Sequence, residues 1–220
     1  MFTIFTTVED KNLAYHVSDD FSSVTLARKN LAKKYNFDIN SLHYMDQIHS
    51  NIVKSISTTT NVQTCDALIT DKKNTPLMVM VADCIPILFY DEIKMVIAVA
   101  HAGRIGTFEN IASSTIKKMI KDYRCNPSHI KASLGPSIQK CCYEVSTKIA
   151  EAVRKDFGEG FVKGRFINLQ GINKKQLLDC GIQEKNIEIS SICTKCSNQP
   201  YFSYRKDASS GRFAGLIMLK

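Results

Sequence analysis

The side chains with the most reactive chemistry in this sequence are those of His49, Cys84 and His101. Cys84 follows an apolar run at residues 77–82, and His101 follows another at residues 95–100. Imidazole and thiolate groups bind transition metals, and they also act as general bases and nucleophiles. The spacings from 49 to 84 and from 84 to 101 are not a metal signature. The spacing alone therefore leaves open a functional site and ordinary core or loop residues.

The elements that must position these residues are strand-like segments in the middle of the chain. Residues 85–90 and 95–100 flank a short polar stretch at 91–94 and predict an antiparallel hairpin. Their nearly continuous apolar character predicts burial on both faces of the sheet. If the apolar strands are neighbours, Cys84 and His101 lie at the same end of the sheet, where a rigid scaffold commonly holds functional groups.

Helical periodicity is clearest at residues 109–123 and recurs at 24–35 and 147–157. Ser146 is a suitable N-cap for the last of these helices. Asn173, with Gln176 three residues later, resembles a capping box at the start of another helix. We predict an α+β fold, in which residues 1–220 form a single compact domain with a mixed β-sheet core flanked by helices.

Composition limits the classes of function. The chain is 44% hydrophobic and 23% charged, as in ordinary globular proteins, and no apolar run is long enough to span a bilayer. The net charge is +8, but the basic residues lie mostly on predicted helix faces, without a nucleic-acid motif. We expect neither a nucleic-acid nor a membrane partner. Without a recognisable signal sequence or coiled coil, we expect a cytoplasmic monomer.

Short motifs along nearly the whole chain carry a family resemblance. They are Gln47-Ile48-His49-Ser50, Cys65-Asp66-Ala67-Leu68, Ala82-Asp83-Cys84-Ile85-Pro86, Ala100-His101-Ala102-Gly103, Leu134-Gly135-Pro136-Ser137, Cys141-Cys142-Tyr143-Glu144-Val145, Cys193-Thr194 and Tyr201-Phe202-Ser203-Tyr204-Arg205. This ordered series closely resembles the bacterial laccase-domain family. That family is also described as multicopper polyphenol oxidases, and as purine nucleoside phosphorylases related to the human laccase-domain-containing protein.

The resemblance implies one zinc ion bound by His49, Cys84 and His101. It also implies phosphorolysis of adenosine, inosine, guanosine and methylthioadenosine, together with deamination of adenosine. Three protein ligands with an open fourth position are typical of catalytic zinc. Such an ion lowers the pKa of bound water to about 7, which suits attack at C6 of the purine. Cys84 and the adjacent Asp83 are therefore the candidate catalytic residues, with a turn-forming role as the alternative for Asp83.

The candidate substrate-binding residues are Arg104, Glu144 and Arg212. The common family motif His-Ala-Gly-Trp-Arg-Gly reads His-Ala-Gly-Arg-Ile-Gly from His101 onwards, so Arg104 stands one position earlier than the family's arginine. Arg212, like Arg205, suits phosphate binding because guanidinium matches phosphate geometry, with a salt bridge as the alternative. Glu144 is either a site acid or a hydrogen-bond acceptor.

Other functions remain open at this level. A copper polyphenol oxidase would need many histidines, and the chain has five. A metal-free hydrolase could use Cys84 as nucleophile and His101 as base. A role in editing peptidoglycan precursors is attached to some relatives of the family. Finally, Cys193 and Cys196 form a single C-x-x-C pair, which we interpret as a structural or incidental pair.

Overall fold

The computed structural model describes residues 1–17, 20–56 and 62–220. Its helices are α1 (Phe21–Tyr35), α2 (Arg104–Phe108), α3 (Ile111–Tyr123), α4 (Thr147–Phe157) and α5 (Leu169–Asp179). Its strands are β1 (Phe2–Phe5), β2 (His43–Asp46), β3 (Val53–Ser55), β4 (Val62–Thr64), β5 (Ala67–Thr70), β6 (Leu77–Val81), β7 (Ile85–Asp91), β8 (Val96–Ala102), β9 (Ile130–Leu134), β10 (Val162–Lys163), β11 (Phe166–Ile167), β12 (Ile187–Ile189) and β13 (Phe213–Met218).

Two large mixed sheets form the core of the described residues. The first has the strand order β1-β13-β6-β2-β4, and the second has the order β12-β9-β7-β8-β5-β3. The β7–β8 hairpin is antiparallel, with Asp91 paired to Val96, which confirms the predicted hairpin with its boundary shifted by one residue. The short β10–β11 pair forms a separate ribbon.

Alternation along β6 shows how the layers pack. Leu77, Val79 and Val81 enter a cluster with residues of β7 and β8, so they face the second sheet. Met78 and Met80 point the other way and pack with Leu31 of α1. Both faces of the first sheet are thus buried.

The second sheet is covered in the same way. Leu88 of β7 faces the first sheet, whereas Ile87 and Phe89 join a cluster with Ile116 and Met119 of α3. The layers therefore run helix, sheet, sheet, helices. The predicted α+β class with a mixed β-sheet core flanked by helices is confirmed, and the core consists of two facing sheets.

Of the two helix N-caps predicted from the sequence, one is confirmed and the other is wrong. Ser146 caps α4, accepting a hydrogen bond from the backbone of Ile149, as predicted. The predicted cap at Asn173 is wrong, because α5 begins at Leu169, four residues before Asn173, and its N-cap is Asn168. Asn173 lies inside the helix, where its buried amide donates to Thr107. None of the helices in the described ranges is both long and apolar enough to cross a membrane.

Candidate metal centre

His49, Cys84 and His101 converge at one end of the second sheet. Cys84 immediately precedes β7, and His101 lies in β8 opposite Pro86. His49 comes from the connection between β2 and β3. One nitrogen of each histidine and the sulfur of Cys84 lie within 4.8 Å of one another. The expectation that Cys84 and His101 share a sheet end is confirmed, and His49 reaches them from the connection between β2 and β3.

A buried carboxylate, that of Asp66, organises two of these three side chains. It accepts hydrogen bonds from the backbone N–H groups of Ile48, His49 and Ser50 at 3.3, 3.0 and 2.7 Å. The same carboxylate lies 2.8 Å from Nδ1 of His101. The three amides hold the loop in the conformation that gives His49 its positive φ of 60°. Asp66 therefore fixes the loop of one histidine and the ring of the other.

The charge of Asp66 determines which nitrogen of His101 is available. Burial raises the pKa of Asp66, but hydrogen bonds from His101 and Ser50 outweigh that effect and lower the pKa to about 2. An ionised carboxylate only accepts hydrogen bonds, so Nδ1 of His101 is the donor. This leaves Nε2 toward Cys84, in the carboxylate–histidine arrangement that orients metal-binding imidazoles.

The sulfur of Cys84 favours the ionised form. Burial raises the pKa of this thiol, but attraction and hydrogen bonding to His101, and then to His49, lower the pKa to about 6. Correspondingly, burial lowers the pKa of His101, while Cys84 and Asp66 raise it to about 9. Thiolate is the form of cysteine that binds metals and that acts as a nucleophile. A bound cation would displace the proton that the pair shares.

Gly103 provides the room that the cluster needs. A Cβ atom at this position would lie 3.0 Å from Sγ of Cys84 and 3.0 Å from Cδ2 of His49. Both distances are shorter than ordinary van der Waals contacts, so a side chain here would push the two groups apart. The donor set, the carboxylate support and this close backbone approach together fit one transition-metal ion.

The cluster forms part of the wall of a cleft of about 290 Å³. This volume lies near the lower end of the range for small-molecule sites. Residues that line the cleft beside the cluster include His16, Gln47, Asp83, Arg104, Ile138, Tyr143, Leu169, Tyr204, Arg205 and Arg212. Three arginines, one at the start of α2 and two from the segment before β13, thus meet in one cleft, which favours an anionic group in the ligand.

Each arginine is oriented by a different neighbour. Arg104 begins α2, and its guanidinium carbon lies 5.9 Å from the centroid of the Phe108 ring. Arg205 lies over the ring of Tyr143, with 4.9 Å between its guanidinium carbon and the ring centroid. Its Nη1 donates to the backbone oxygen of Glu144 at 2.9 Å. Arg212 donates to the backbone oxygen of Gly211. A guanidinium has five N–H groups, so each arginine keeps donors beyond the ones used here.

Asp83 lies in the cleft wall, and both of its carboxylate oxygens accept hydrogen bonds. One accepts from the hydroxyl of Thr194 at 2.6 Å, and the other accepts from the backbone N–H of Arg205 at 2.7 Å. Asp83 has a φ of 83°, which turns the chain sharply just before Cys84. These contacts make Asp83 a link between Cys84 and the segment that carries Arg205.

Glu144 contacts Arg205 through its backbone oxygen, but its side chain does not line the cleft. Its side chain forms an ion pair with Arg165, and it borders a second depression beside β10 and β11. The structure therefore brings Asp83, Arg104 and Arg212 to the cleft together with the cluster, but not the side chain of Glu144.

Sequence reasoning assigned no role to Asp66, Gly103 or Tyr143. The signal for Asp66 was a carboxylate directly before the fully buried strand β5, a position that requires a partner for its charge. Gly103 could have been recognised from its position two residues after His101. Tyr143 has no comparable local signal, because its neighbours in the cleft come from distant segments.

An α+β domain with a two-histidine, one-cysteine cluster in an arginine-lined cleft defines a class of candidate metalloproteins. Residues 5–220 match the protein family described as "Multi-copper polyphenol oxidoreductase laccase". The chain belongs to this family.

Relatives and solved structures cover nearly the whole chain. It is 31% identical over 230 residues to "Purine nucleoside phosphorylase YlmD" of Bacillus subtilis (strain 168), covering 96% of this chain and 83% of the relative. It is 36% identical over 192 residues to "Purine nucleoside phosphorylase CA_C1699" of Clostridium acetobutylicum, covering 84% and 79%. It is also 31% identical over 225 residues to "Adenosine deaminase RL5" of an unknown prokaryotic organism, covering 93% and 86%.

Among solved structures, the hypothetical protein YfiH of Bacillus licheniformis superimposes with a TM-score of 0.91. The two chains are 29% identical, and the match covers 99% of this chain and 92% of the other. The fold is therefore shared along nearly the full length of both chains.

Proposed function

We propose that this chain is a zinc-dependent purine nucleoside phosphorylase that also deaminates adenosine. The observation that carries the proposal is the cluster of two imidazoles and one thiolate at the wall of a cleft lined by Arg104, Arg205 and Arg212. The names of the relatives, phosphorylases and one deaminase, support purine nucleosides as the substrate class. Adenosine, inosine, guanosine and methylthioadenosine are the proposed substrates.

His49, Cys84 and His101 would hold the zinc ion. Three protein ligands leave a position for a substrate or solvent oxygen, so the ion would supply Lewis-acid polarisation. Zinc suits this donor set better than a multicopper centre, because the chain has five histidines and the cluster contains two of them. Asp66 would keep the ring of His101 in the required tautomer.

The arginines of the cleft would bind inorganic phosphate. In phosphorolysis a phosphate oxygen forms a bond to C1′ of the ribose while the bond from C1′ to the purine nitrogen breaks. The electron pair of that bond goes to the purine, which takes up a proton, and the other product is ribose 1-phosphate. Arg104, Arg205 and Arg212 would offset the phosphate charge and orient the attacking oxygen.

The remaining wall of the cleft suits a purine nucleoside. Ile138 and Leu169 provide apolar surface for the flat base. Burial raises the pKa of Tyr143, so its hydroxyl stays protonated and can donate a hydrogen bond. Asp83 would position the segment of Arg205 rather than carry a proton, because both of its oxygens already accept hydrogen bonds.

The test is to incubate zinc-loaded protein with adenosine, with and without phosphate, and to separate the products by chromatography. We expect adenine and ribose 1-phosphate only when phosphate is present, and inosine with ammonia in either case. His49→Ala should abolish both reactions, whereas His129→Ala, a change outside the cleft lining, should preserve them.

Metal analysis of the same preparations separates the competing functions. Activity in protein shown to contain no metal would support a Cys84–His101 hydrolase mechanism and contradict zinc dependence. About four copper ions per chain, with oxidation of phenols, would support the laccase alternative. Absence of both adenine and inosine from zinc-loaded protein would contradict the nucleoside proposal itself.

A further inference from the structure

Four cysteines outside the cleft meet at a second place in the fold. Cys141 and Cys142 lie between β9 and α4, while Cys193 and Cys196 lie between β12 and β13. Their four sulfur atoms all lie within 4.8 Å of one another. Cys193 is buried, Cys142 is half-buried, and the other two are exposed. The C-x-x-C pair thus has a partner pair about fifty residues away in sequence, which the sequence interpretation did not include.

The spacing of the sulfur atoms fits one tetrahedral metal ion. The sulfurs of Cys141 and Cys196 are 3.7 Å apart, far longer than the bond of about 2.0 Å in a disulfide. A tetrahedron whose centre lies about 2.3 Å from each sulfur has edges of about 3.8 Å. The other pairs stay within 4.8 Å, which leaves room for one ion but not for a cluster of several irons.

A backbone amide beside Cys193 supports a metal-bound sulfur. The N–H of Gln139 donates to Sγ of Cys193 at 3.5 Å. Hydrogen bonds of this kind favour a thiolate, the form that binds zinc.

The two cysteine segments are also fixed to each other without the sulfur atoms. Ser137 and Cys193 form a parallel β-bridge, and the N–H of Thr194 donates to the backbone oxygen of Ser137 at 3.1 Å. The side-chain amide of Gln139 donates to the backbone oxygens of Ser190 and Ile192. The four sulfur atoms are therefore presented by a built scaffold, and their meeting does not depend on flexible side chains alone.

We propose that Cys141, Cys142, Cys193 and Cys196 bind a second zinc ion, which has a structural role. Four thiolates and one Zn²⁺ carry a net charge of −2, and Lys140 and Lys195, adjacent to the ligands in sequence, offset it. Four protein ligands close the coordination sphere, as in structural zinc sites.

This second ion would brace one wall of the cleft. Cys142 directly precedes Tyr143, and Thr194, between the other two ligands, donates to Asp83 next to Cys84. Zinc at the four-cysteine cluster would therefore fix the positions of residues in the cleft without contacting a substrate.

Elemental analysis of protein purified without a metal-affinity step tests the proposal. We expect two zinc ions per chain in the unaltered protein. The His49→Ala/Cys84→Ala chain should retain one, and the Cys193→Ser/Cys196→Ser chain should also retain one. Cys180→Ser is the matched control at a half-buried cysteine outside both clusters, and it should retain two.

Several outcomes would overturn this assignment. Absence of zinc from the His49→Ala/Cys84→Ala chain would contradict the assignment, because that chain keeps all four cysteines of the second cluster. This result can be obtained even if the Cys193→Ser/Cys196→Ser chain fails to fold. Iron in place of zinc would also contradict the assignment. Denatured, unreduced protein treated with a chelator should show eight reactive thiols, and six or four would indicate disulfides instead.

The result is independent of the zinc-dependent nucleoside function. If only the histidine-containing cluster failed to bind metal, the unaltered protein would contain one zinc. That zinc would be lost in the Cys193→Ser/Cys196→Ser chain and kept in the His49→Ala/Cys84→Ala chain.

Discussion

The two clusters of metal-binding side chains differ in donor set, surroundings and access. The cluster of His49, Cys84 and His101 lies at a cleft, and a buried carboxylate supports it. The four-cysteine cluster has sulfur donors only, with a backbone amide donating to one of them. With a metal ion bound, the first would leave a coordination position for chemistry, whereas the second would fill every position with protein sulfur. On these two proposals, ligand number and ligand support would distinguish a reactive centre from a structural one.

The largest expected effect is the contrast between two variants, each of which lacks one cysteine sulfur of a different cluster. Cys84→Ala should lower nucleoside turnover by at least about 10³-fold, because Lewis-acid stabilisation contributes several kcal/mol to the transition state. Cys142→Ala, at another half-buried cysteine, should lower the melting temperature and reduce the turnover only by about tenfold or less, because the cluster braces the cleft wall without contacting a substrate. Steady-state assays and thermal denaturation of both variants measure the contrast. Equal losses of turnover in the two would remove the distinction between the clusters.

A second prediction concerns Asp66. Its carboxylate supports the cleft cluster, which consists of His49, Cys84 and His101, but not the four-cysteine cluster. Asp66→Asn keeps the size of the side chain but replaces one of its two acceptor oxygens with an NH2 group. This group opposes either the donors of His49 and His101 or those of Ile48 and Ser50, which bond to different oxygens of Asp66. We expect zinc affinity at the cleft cluster to fall about 10- to 100-fold, as for other changes to groups that orient metal ligands. Competition with a chromophoric chelator measures the affinity.

The four-cysteine cluster is the internal reference for this variant. Its zinc should be retained by Asp66→Asn, since Asp66 is not among its contacts. Unchanged affinity at the cleft cluster would show that Asp66 only stabilises the loop.

A third prediction concerns Gly103, where the backbone passes close to Cys84 and His49 of the cleft cluster. Gly103→Ala places a methyl group 3.0 Å from the sulfur of Cys84 and from the ring of His49. We expect the zinc affinity and the turnover to fall about tenfold, equivalent to a cost of about 1.4 kcal/mol. Gly160→Ala is the control, because a Cβ atom there has no neighbour within 4 Å. If Gly103→Ala behaves like Gly160→Ala, close packing does not contribute to the site.

Local patterns in the sequence predicted the hairpin that carries the cleft cluster. Continuous apolar runs on either side of a short polar turn correctly indicated β7 and β8, and the pairing of these strands brings Cys84 near His101. The same runs could not show that a second sheet covers one face, because burial on both faces does not identify what buries them. The predicted cap at Asn173 was wrong because the spacing of Asn173 and Gln176 matches a capping box, but both residues lie in the interior of α5.

Contacts between distant segments explain what the sequence did not reveal. Asp66 owes its position in the site to donors from residues 48–50 and from His101, and no periodic pattern connects them. Cys141 and Cys142 lie beside Cys193 and Cys196 because their two segments pair through the bridge between Ser137 and Cys193. Reactive residue types can thus be found in sequence, while their supporting partners depend on the fold.

The smallest expected effect comes from the contact that connects the two clusters. Thr194→Val keeps the shape of the side chain but leaves one buried oxygen of Asp83 without its 2.6 Å hydrogen bond. An unpaired buried acceptor costs about 1–3 kcal/mol, so we expect a lower melting temperature and a loss of a few-fold in turnover. Thr194→Ser, which keeps the hydroxyl, should restore most of the turnover. Both zinc ions should remain, because Thr194 is a ligand in neither cluster. Full turnover in Thr194→Val would mean that the four-cysteine cluster stabilises the fold without influencing the cleft.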